Sequence, residues 1–134
     1  MNDTENTILI EVGAGELIDK LTILRIKSER MTDPAKLANV RREFEVLSRV
    51  RDARLPAAPE LDRLEEALQQ VNAALWEIED AIRDCEARAD FGERFIELAR
   101  SVYMQNDRRA ELKKAINELC GSRIVEEKSY TEFR

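Results

Sequence analysis

Residues 61–89, LDRLEEALQQVNAALWEIEDAIRDCEARA, carry the pattern that decides the fold. Apolar side chains recur in this stretch at alternating spacings of three and four residues, without a break. They are Leu61, Leu64, Leu68, Val71, Leu75, Ile78, Ile82, Cys85 and Ala89. This spacing keeps one narrow seam of an α-helix facing a neighbouring helix. The stretch therefore predicts a long, coiled-coil-like helix from about Pro59 to Arg88, and its aliphatic seam indicates packing rather than chemistry.

Glycine and proline divide the rest of the chain into three further helices. These are predicted from Glu16 to about Arg30, from Pro34 to about Ala53 and from about Glu93 to Cys120. Thr32 or Asp33 is suited to cap the second helix, and Gly121 to end the fourth.

Two short segments outside the helices have an extended character. Residues 7–12 are apolar and β-branched, which predicts a strand, and residues 122–130 predict an extended tail. The strand and the tail are candidates to pair as a two-stranded ribbon supported by the helices. The expected fold is therefore all-α, an antiparallel bundle of about four helices with short extended N- and C-terminal segments.

The bulk composition agrees with this fold. The chain has 134 residues, 37% of them charged, with only four glycines and three prolines. Its length is typical of one domain, residues 1–134. No apolar run approaches the roughly 18 residues of a membrane span, and the start lacks the pattern of a secretory signal. We therefore expect a cytoplasmic protein, with Cys85 and Cys120 reduced and structural.

Charge and missing residue types exclude several functions. The net charge is −6, which disfavours a nucleic-acid or anionic-membrane partner. The chain has no histidine, so catalytic triads built on histidine are excluded, and a common zinc site lacks ligands. We expect no metal and no cofactor. Because the third helix is too long for the other helices to cover, we also expect a two-fold homodimer.

The Gly13-x-Gly15 pattern before the first helix resembles only part of a dinucleotide-binding loop. Ile18 stands where that fingerprint has its third glycine. Glu16 and Asp19 in the first turn would repel a phosphate. The glycines are therefore interpreted as a bend that lets the extended segment and the helix meet.

Polar residues on the first and fourth helices form the candidate binding site. On the fourth helix, small and polar residues alternate at helical spacing, and Glu126–Tyr130 is expected to reach back to this face. The face predicts an interhelical network, a site for an anionic small molecule or a partner-protein surface. On the first helix, Glu16 and Lys20 fit an exposed ion pair, or Asp19 and Lys20 line a polar cleft. The candidate ligand-binding residues are Asp19, Lys20, Arg100, Tyr103, Asn106 and Lys113.

A second polar stripe lies beside the seam of the third helix and includes the only tryptophan. Its members are Asn72, Trp76, Glu79 and Arg83. A large aromatic among polar groups favours a packing edge or dimer contact, and the alternative is a ligand pocket.

Three segments resemble a bacterial family of small uncharacterised proteins. They are GELIDKLTIL at residues 15–24, LARSVY with NDRRA at residues 98–110, and VEEKSY at residues 125–130. The resemblance covers nearly the whole chain and implies no assigned activity. It implies an association of some members with polysaccharide or glycosyltransferase functions, with any shared site in these segments.

A fainter resemblance is to the all-helical chorismate mutases. Residues 17–21, followed by Arg25 and Arg30, are similar to the first helix of those enzymes. The resemblance implies catalysis by electrostatics and conformational restraint, which needs no histidine or metal. The chain departs from that pattern, since Met1–Gly15 contains no arginine or lysine and the expected loop lysine would have to be Lys36.

These observations favour a non-enzymatic, homodimeric binding or assembly module. The first alternative is a small enzyme or sensor for an anionic metabolite. A further alternative is an accessory subunit for cell-surface polysaccharide biosynthesis, an expectation that comes from the family resemblance.

Overall fold

The computed structural model describes residues 6–133 and contains four α-helices. They are α1 (Ala14–Arg30), α2 (Pro34–Arg54), α3 (Pro59–Ala87) and α4 (Glu93–Cys120). No strand occurs in the described part of the chain. The predicted all-α bundle is therefore confirmed. Helix α1 begins at Ala14 rather than Glu16, so Gly15 lies inside the helix and not in a bend before it.

Helix α1 is the central element of the bundle, because it packs against each of the other three helices. Its residues Ile18 and Leu21 are fully buried with the α3 residues Leu61 and Leu68 and with Ile116 of α4. A broad apolar stripe suits a helix that is covered on several sides. Helix α2, by contrast, comes close to the backbone of α1 alone, although its Arg51 reaches Glu65 of α3, and Val40 is its only buried residue.

The α3 seam packs mainly against α4, and its buried members extend from Leu61 to Cys85. Ala89 was predicted to continue this seam, and that prediction is wrong. Helix α3 ends at Ala87, and Ala89 has a φ of 55° in an exposed turn. Asp90 N–H donates to Cys85 O and Ala89 N–H to Glu86 O, the hydrogen bonds of a Schellman cap.

Local signals at the helix ends act as predicted. The Asp33 side chain accepts a hydrogen bond from the Ala35 N–H (2.9 Å), and Pro34 occupies the first turn of α2. Gly121 ends α4 in the left-handed conformation, with a φ of 65°. Cys85 and Cys120 are both free.

The predicted strand at residues 7–12, and its ribbon with the tail, are wrong. Residues 7–13 form no helix and join no sheet within residues 6–133. The two segments nevertheless lie side by side near α1: Arg123 pairs with Glu11 at 2.8 Å, and the Gly13 backbone lies against Ile124 O. Among the helices of the described chain, none is long and apolar enough to cross a membrane.

Candidate functional site

The site is built where the first turn of α1 meets the last turns of α4. A Cβ atom added at Gly15 would lie 2.3 Å from Lys113 O, so only glycine permits this approach. Asn117 Oδ1 accepts a hydrogen bond from the Gly15 N–H (2.8 Å), and Ser122 Oγ accepts one from the Ala14 N–H (2.9 Å). The α1 N-terminus is therefore capped from α4 and its end, and these two donors are already used.

Asp19 is the buried centre of a polar cluster, with 1% of its surface exposed. Arg109 Nε donates to Asp19 Oδ1 (2.9 Å) and Arg109 Nη2 donates to Asp19 Oδ2 (2.5 Å). Asn72 Nδ2 donates both to Asp19 Oδ1 and to Thr22 Oγ1, each at 2.9 Å. We call Asp19, Arg109, Asn72 and Thr22 the aspartate cluster. It joins α1, α3 and α4 at one point.

The pKa shifts in the aspartate cluster hold its ions charged. Burial alone would raise the pKa of Asp19, but hydrogen bonds from Arg109 and Asn72 outweigh it and the pKa lies below its ordinary value. The hydrogen bond with Asp19 raises the pKa of Arg109, despite the opposing effect of burial. Both pKa values are moved farther from neutral pH. This suits a structural ion pair better than a proton-transfer group.

Lys113 forms a second cluster one helical turn along α4 from Arg109. Its Nζ lies 2.8 Å from Glu16 Oε2, 3.4 Å from Glu126 Oε2 and 4.0 Å from Asp19 Oδ2. Burial would lower the pKa of Lys113, but the hydrogen bond that it donates to Glu16 and the nearby carboxylates raise it. Lys113 therefore remains an ammonium ion, held among three carboxylates.

Glu126 connects this second cluster to the C-terminal segment, residues 122–133. Its carboxylate contacts both Lys113 and Lys128, the latter at 3.2 Å, and its side chain is 51% exposed. The hydrogen bond from Lys128, and then the charge of Lys113, lower the pKa of Glu126. The expectation that residues 126–130 reach back to the α4 face agrees with these contacts.

A groove of about 900 Å³ lies between α4 and the C-terminal segment. The rings of Tyr103 and Phe133 stack across it with their centroids 4.9 Å apart. We call this space the α4 groove; its lining residues are Val102, Tyr103, Asn106, Asp107, Ala110, Glu111, Lys128 and residues 130–133. A smaller space of about 290 Å³ adjoins it. The two spaces share Asn106, Ala110 and Lys128, and the smaller one is also lined by Arg109, Lys113 and Glu126.

A third groove, of about 580 Å³, lies on another side of the aspartate cluster. It is lined by Trp76, Leu75 and Ile23, and by Arg109. Arg109 thus borders both this groove and the space around Lys113. Trp76 is half-buried at the edge of packed helices, and a ligand at this stripe remains a prediction.

The structure brings together only some of the predicted ligand-binding residues. Asp19, Lys113 and Asn106 belong to one connected region, and Tyr103 lines the α4 groove that opens from it. Lys20 is exposed and forms the predicted pair with Glu16 at 3.8 Å. Arg100 is exposed and lies nine residues before Arg109 on α4, about 13 Å along the helix. Neither Lys20 nor Arg100 borders the grooves described above.

Sequence reasoning missed Arg109, Glu16 and Asn72 as members of the site. Arg109 precedes Lys113 by four residues and follows Asn106 by three, so helical spacing places it on the predicted polar face. That spacing was the available signal. No group of three or more acidic, cysteine or histidine side chains in the described chain is arranged to hold a metal ion.

The fold and the site define a small all-α protein with a charged interhelical junction and an adjoining groove. The chain belongs to the family of unknown function DUF6165, whose model matches residues 8–133. This family agrees with the predicted resemblance to uncharacterised proteins, while bacterial origin stays a prediction. The comparisons with curated proteins and with solved structures find no match.

Proposed function

We propose that this protein is a homodimeric, non-catalytic binding module, and that the smaller space around Lys113 holds an acidic group of a ligand whose body lies in the adjoining α4 groove. The position of Glu126 is the observation that carries this proposal. Its carboxylate lies between the ammonium groups of Lys113 and Lys128, yet half of the side chain is exposed. A carboxylate of the chain itself thus marks a place where an incoming carboxylate or phosphate would find two cations.

The depth of the site supports a binding role. Lys113 is 12% exposed and fixed by Glu16, so its ammonium is held in place before a ligand arrives. Asn106 borders both the space around Lys113 and the α4 groove, and the Tyr103–Phe133 stack lies farther along that groove. A ligand with an acidic end and an apolar body would fit this arrangement, with its acidic end at Lys113 and its body against the Tyr103–Phe133 stack.

The pKa directions favour binding over catalysis. Asp19, Arg109 and Lys113 all have pKa values displaced away from neutrality. General acid–base catalysis works best with a pKa near the operating pH. A small enzyme for an anionic metabolite remains the second candidate, since catalysis by fixed charges needs no proton transfer and the same cations would supply them.

Binding of inorganic phosphate and of citrate tests the site, with NMR titration of backbone amides at low ionic strength. Glu126→Gln removes the internal competitor, so both probes should bind more tightly. An exposed ion pair is worth up to about 1 kcal/mol, equivalent to about fivefold in Kd. Lys128→Gln should weaken binding, and the shifted amides should lie on α4 around Asn106 and Lys113.

The matched control is Glu45→Gln, which removes an exposed carboxylate from the Glu45–Arg49 pair of α2. This variant should bind the probes as the wild type does. If Glu45→Gln and Glu126→Gln change affinity equally, the effect is one of net charge and the proposed site is wrong. Amide shifts confined to other surfaces would also contradict it.

An accessory role in cell-surface polysaccharide biosynthesis is a further proposal, supported by the family resemblance alone. The protein should then co-purify from its native cell with an enzyme of sugar transfer. Recovery as a solitary species under conditions that preserve weak complexes would contradict that role.

A further inference from the structure

We propose that residues 8–12 form an antiparallel strand pair with the same segment of a second copy of this chain. The inference rests on the proposed homodimer and names its interface. Ile8, Leu9 and Ile10 are 86%, 89% and 75% exposed, although each is a large aliphatic residue. Three such neighbours outside any helix are suited to strand pairing, and no strand occurs within residues 6–133.

The segment alternates in the way that a paired strand requires. Ile8, Ile10 and Val12 would share one face of a strand, and all three are β-branched. Leu9 and Glu11 would share the other face. When the two-fold axis passes beside Leu9, that residue stands opposite its own counterpart, and Ile8 stands opposite Ile10 of the second copy. This register places apolar side chains opposite each other throughout the centre of the pair.

The charges of the segment are compatible with that register. Glu11 pairs with Arg123 of its own chain, whose Nη2 donates to both carboxylate oxygens at 2.9 and 2.8 Å. Each Glu11 is thereby neutralised locally. In the proposed register Glu11 faces Thr7 of the second copy and not the second Glu11, so like charges are not opposed.

The bundle fixes the segment at its base. Gly13 lies so close to its neighbours that an added Cβ would be 2.5 Å from Ile124 O and 2.6 Å from Asn117 Oδ1. With Gly13 held and Glu11 paired to Arg123, residues 8–10 extend from a defined point. Less chain entropy is lost when an anchored segment binds than when a free tail does.

Further exposed apolar residues lie at the end of the bundle where Gly13 meets the end of α4. Leu119, Ile124 and Val125 are exposed where α4 ends, and Val50 is exposed near the end of α2. Arg51 near the end of α2 pairs with Glu65 of α3 at 2.8 Å, and its charge acts on Cys120 at the end of α4. A two-stranded ribbon alone is marginally stable, and stable interfaces bury about 1,200–2,000 Å² in total. The proposal assigns to these residues the additional apolar area that a second copy would bury.

Molar mass in solution gives the first test, by light scattering after size exclusion at micromolar concentration. The wild type should have twice the mass of one chain, 15.5 kDa. Leu9→Asp should reduce it to one chain, because a carboxylate would face its own counterpart at the two-fold axis. Ile96→Asp is the matched control, since Ile96 is also exposed but lies near the start of α4, at the opposite end of that helix. This variant should remain a dimer.

Disulfide formation tests the register in a Cys120→Ser background, which leaves only the buried Cys85. Directly opposed residues of an antiparallel pair have Cα atoms about 4.5–5.5 Å apart, within the range of a disulfide. Leu9→Cys should therefore form a covalent dimer on mild oxidation, and Ile96→Cys should not. Far-UV circular dichroism should show unchanged helix content, since the substituted side chains are exposed.

The outcomes separate this inference from the proposals on which it builds. A wild type with the mass of one chain would overturn both the homodimer and the strand pairing. A dimer that tolerates Leu9→Asp would overturn the strand pairing and leave the homodimer standing. Loss of the dimer in Leu9→Asp without cross-linking of Leu9→Cys would overturn the proposed register. The phosphate and citrate titrations at the α4 groove are independent of all three results.

Discussion

Asp19 and Arg109 are separated by 90 residues in the sequence and joined by two parallel hydrogen bonds in the fold. The pair connects the central helix α1 to α4, and Asn72 adds a bond from α3. Every buried side-chain nitrogen and oxygen among the described residues has a hydrogen-bond partner. A buried ion pair fixes relative positions of helices more than it adds net stability, so this junction sets the register on which the α4 groove depends.

Replacement of Asp19 by asparagine should strongly destabilise the protein. The variant leaves Arg109, whose side chain is 30% exposed, without its carboxylate. Loss of a hydrogen bond between charged groups costs about 1.5–3 kcal/mol in the free energy of unfolding. Urea denaturation at neutral pH, followed by far-UV circular dichroism, measures the change. Glu45→Gln, which removes an exposed pair on α2, should cost no more than about 1 kcal/mol.

The difference between wild type and Asp19→Asn should shrink in acid. Because folding lowers the pKa of Asp19 from 3.8, the carboxylate stabilises the fold fully above that value and progressively less as the pH falls through the lower folded pKa. Asparagine does not titrate, so the stability of the variant does not fall with this protonation step. Urea denaturation repeated at about pH 3 and below should show the two curves converging. A constant difference at all pH values would contradict the assignment.

Gly15→Ala should separate the start of α1 from α4. The new Cβ would meet the backbone at Lys113 O, at 2.3 Å, and a backbone atom cannot rotate away. Overpacking of this kind costs about 1–3 kcal/mol. In Gly92→Ala the added Cβ would have Asp90 Oδ1 as its nearest neighbour, at 3.5 Å. The free energy of unfolding of that control, measured by thermal denaturation, should fall by less than about 1 kcal/mol. Equal losses in the two variants would show that the close approach is not limiting.

Asn117→Ala should weaken the same junction by a different mechanism. It removes the acceptor for the Gly15 N–H, which is buried and would be left without a partner. The expected loss is about 1–3 kcal/mol in the free energy of unfolding. Ser122→Ala removes the acceptor for Ala14 N–H at a less buried position and should cost less. Hydrogen exchange should report faster exchange at Gly15 in the first variant, and protection equal to wild type would refute this role for Asn117.

Ala89→Gly should stabilise the protein. Ala89 has a φ of 55° at the end of α3, a conformation that costs a residue with a Cβ about 1–2 kcal/mol. Glycine adopts it freely, so the melting temperature should rise. Ala38→Gly, at an exposed position inside α2, should instead destabilise by about 0.5–1 kcal/mol. A fall in stability for both variants would contradict the strained turn.

Sequence alone determined the number of helices and nearly all of their ends. The seam from Leu61 to Cys85, the Asp33-Pro34 start of α2 and the Gly121 end of α4 act through neighbours within a few residues, so their effect can be read locally. The same local reading gave the polar face of α4 that contains Asn106 and Lys113. It failed at residues 7–12, because a strand needs a partner that the sequence of one segment does not supply.

Only the tertiary structure decided that α1 is central, that Asp19 is the carboxylate that Arg109 meets, and that Glu126 closes over Lys113. These relationships depend on the rotation and axial position of each helix against its neighbours. Those variables are set jointly by packing over the whole core and by the close approach at Gly15. Helical spacing shows which side chains share one face of a helix, but only the assembled bundle shows which residues of a neighbouring helix that face meets.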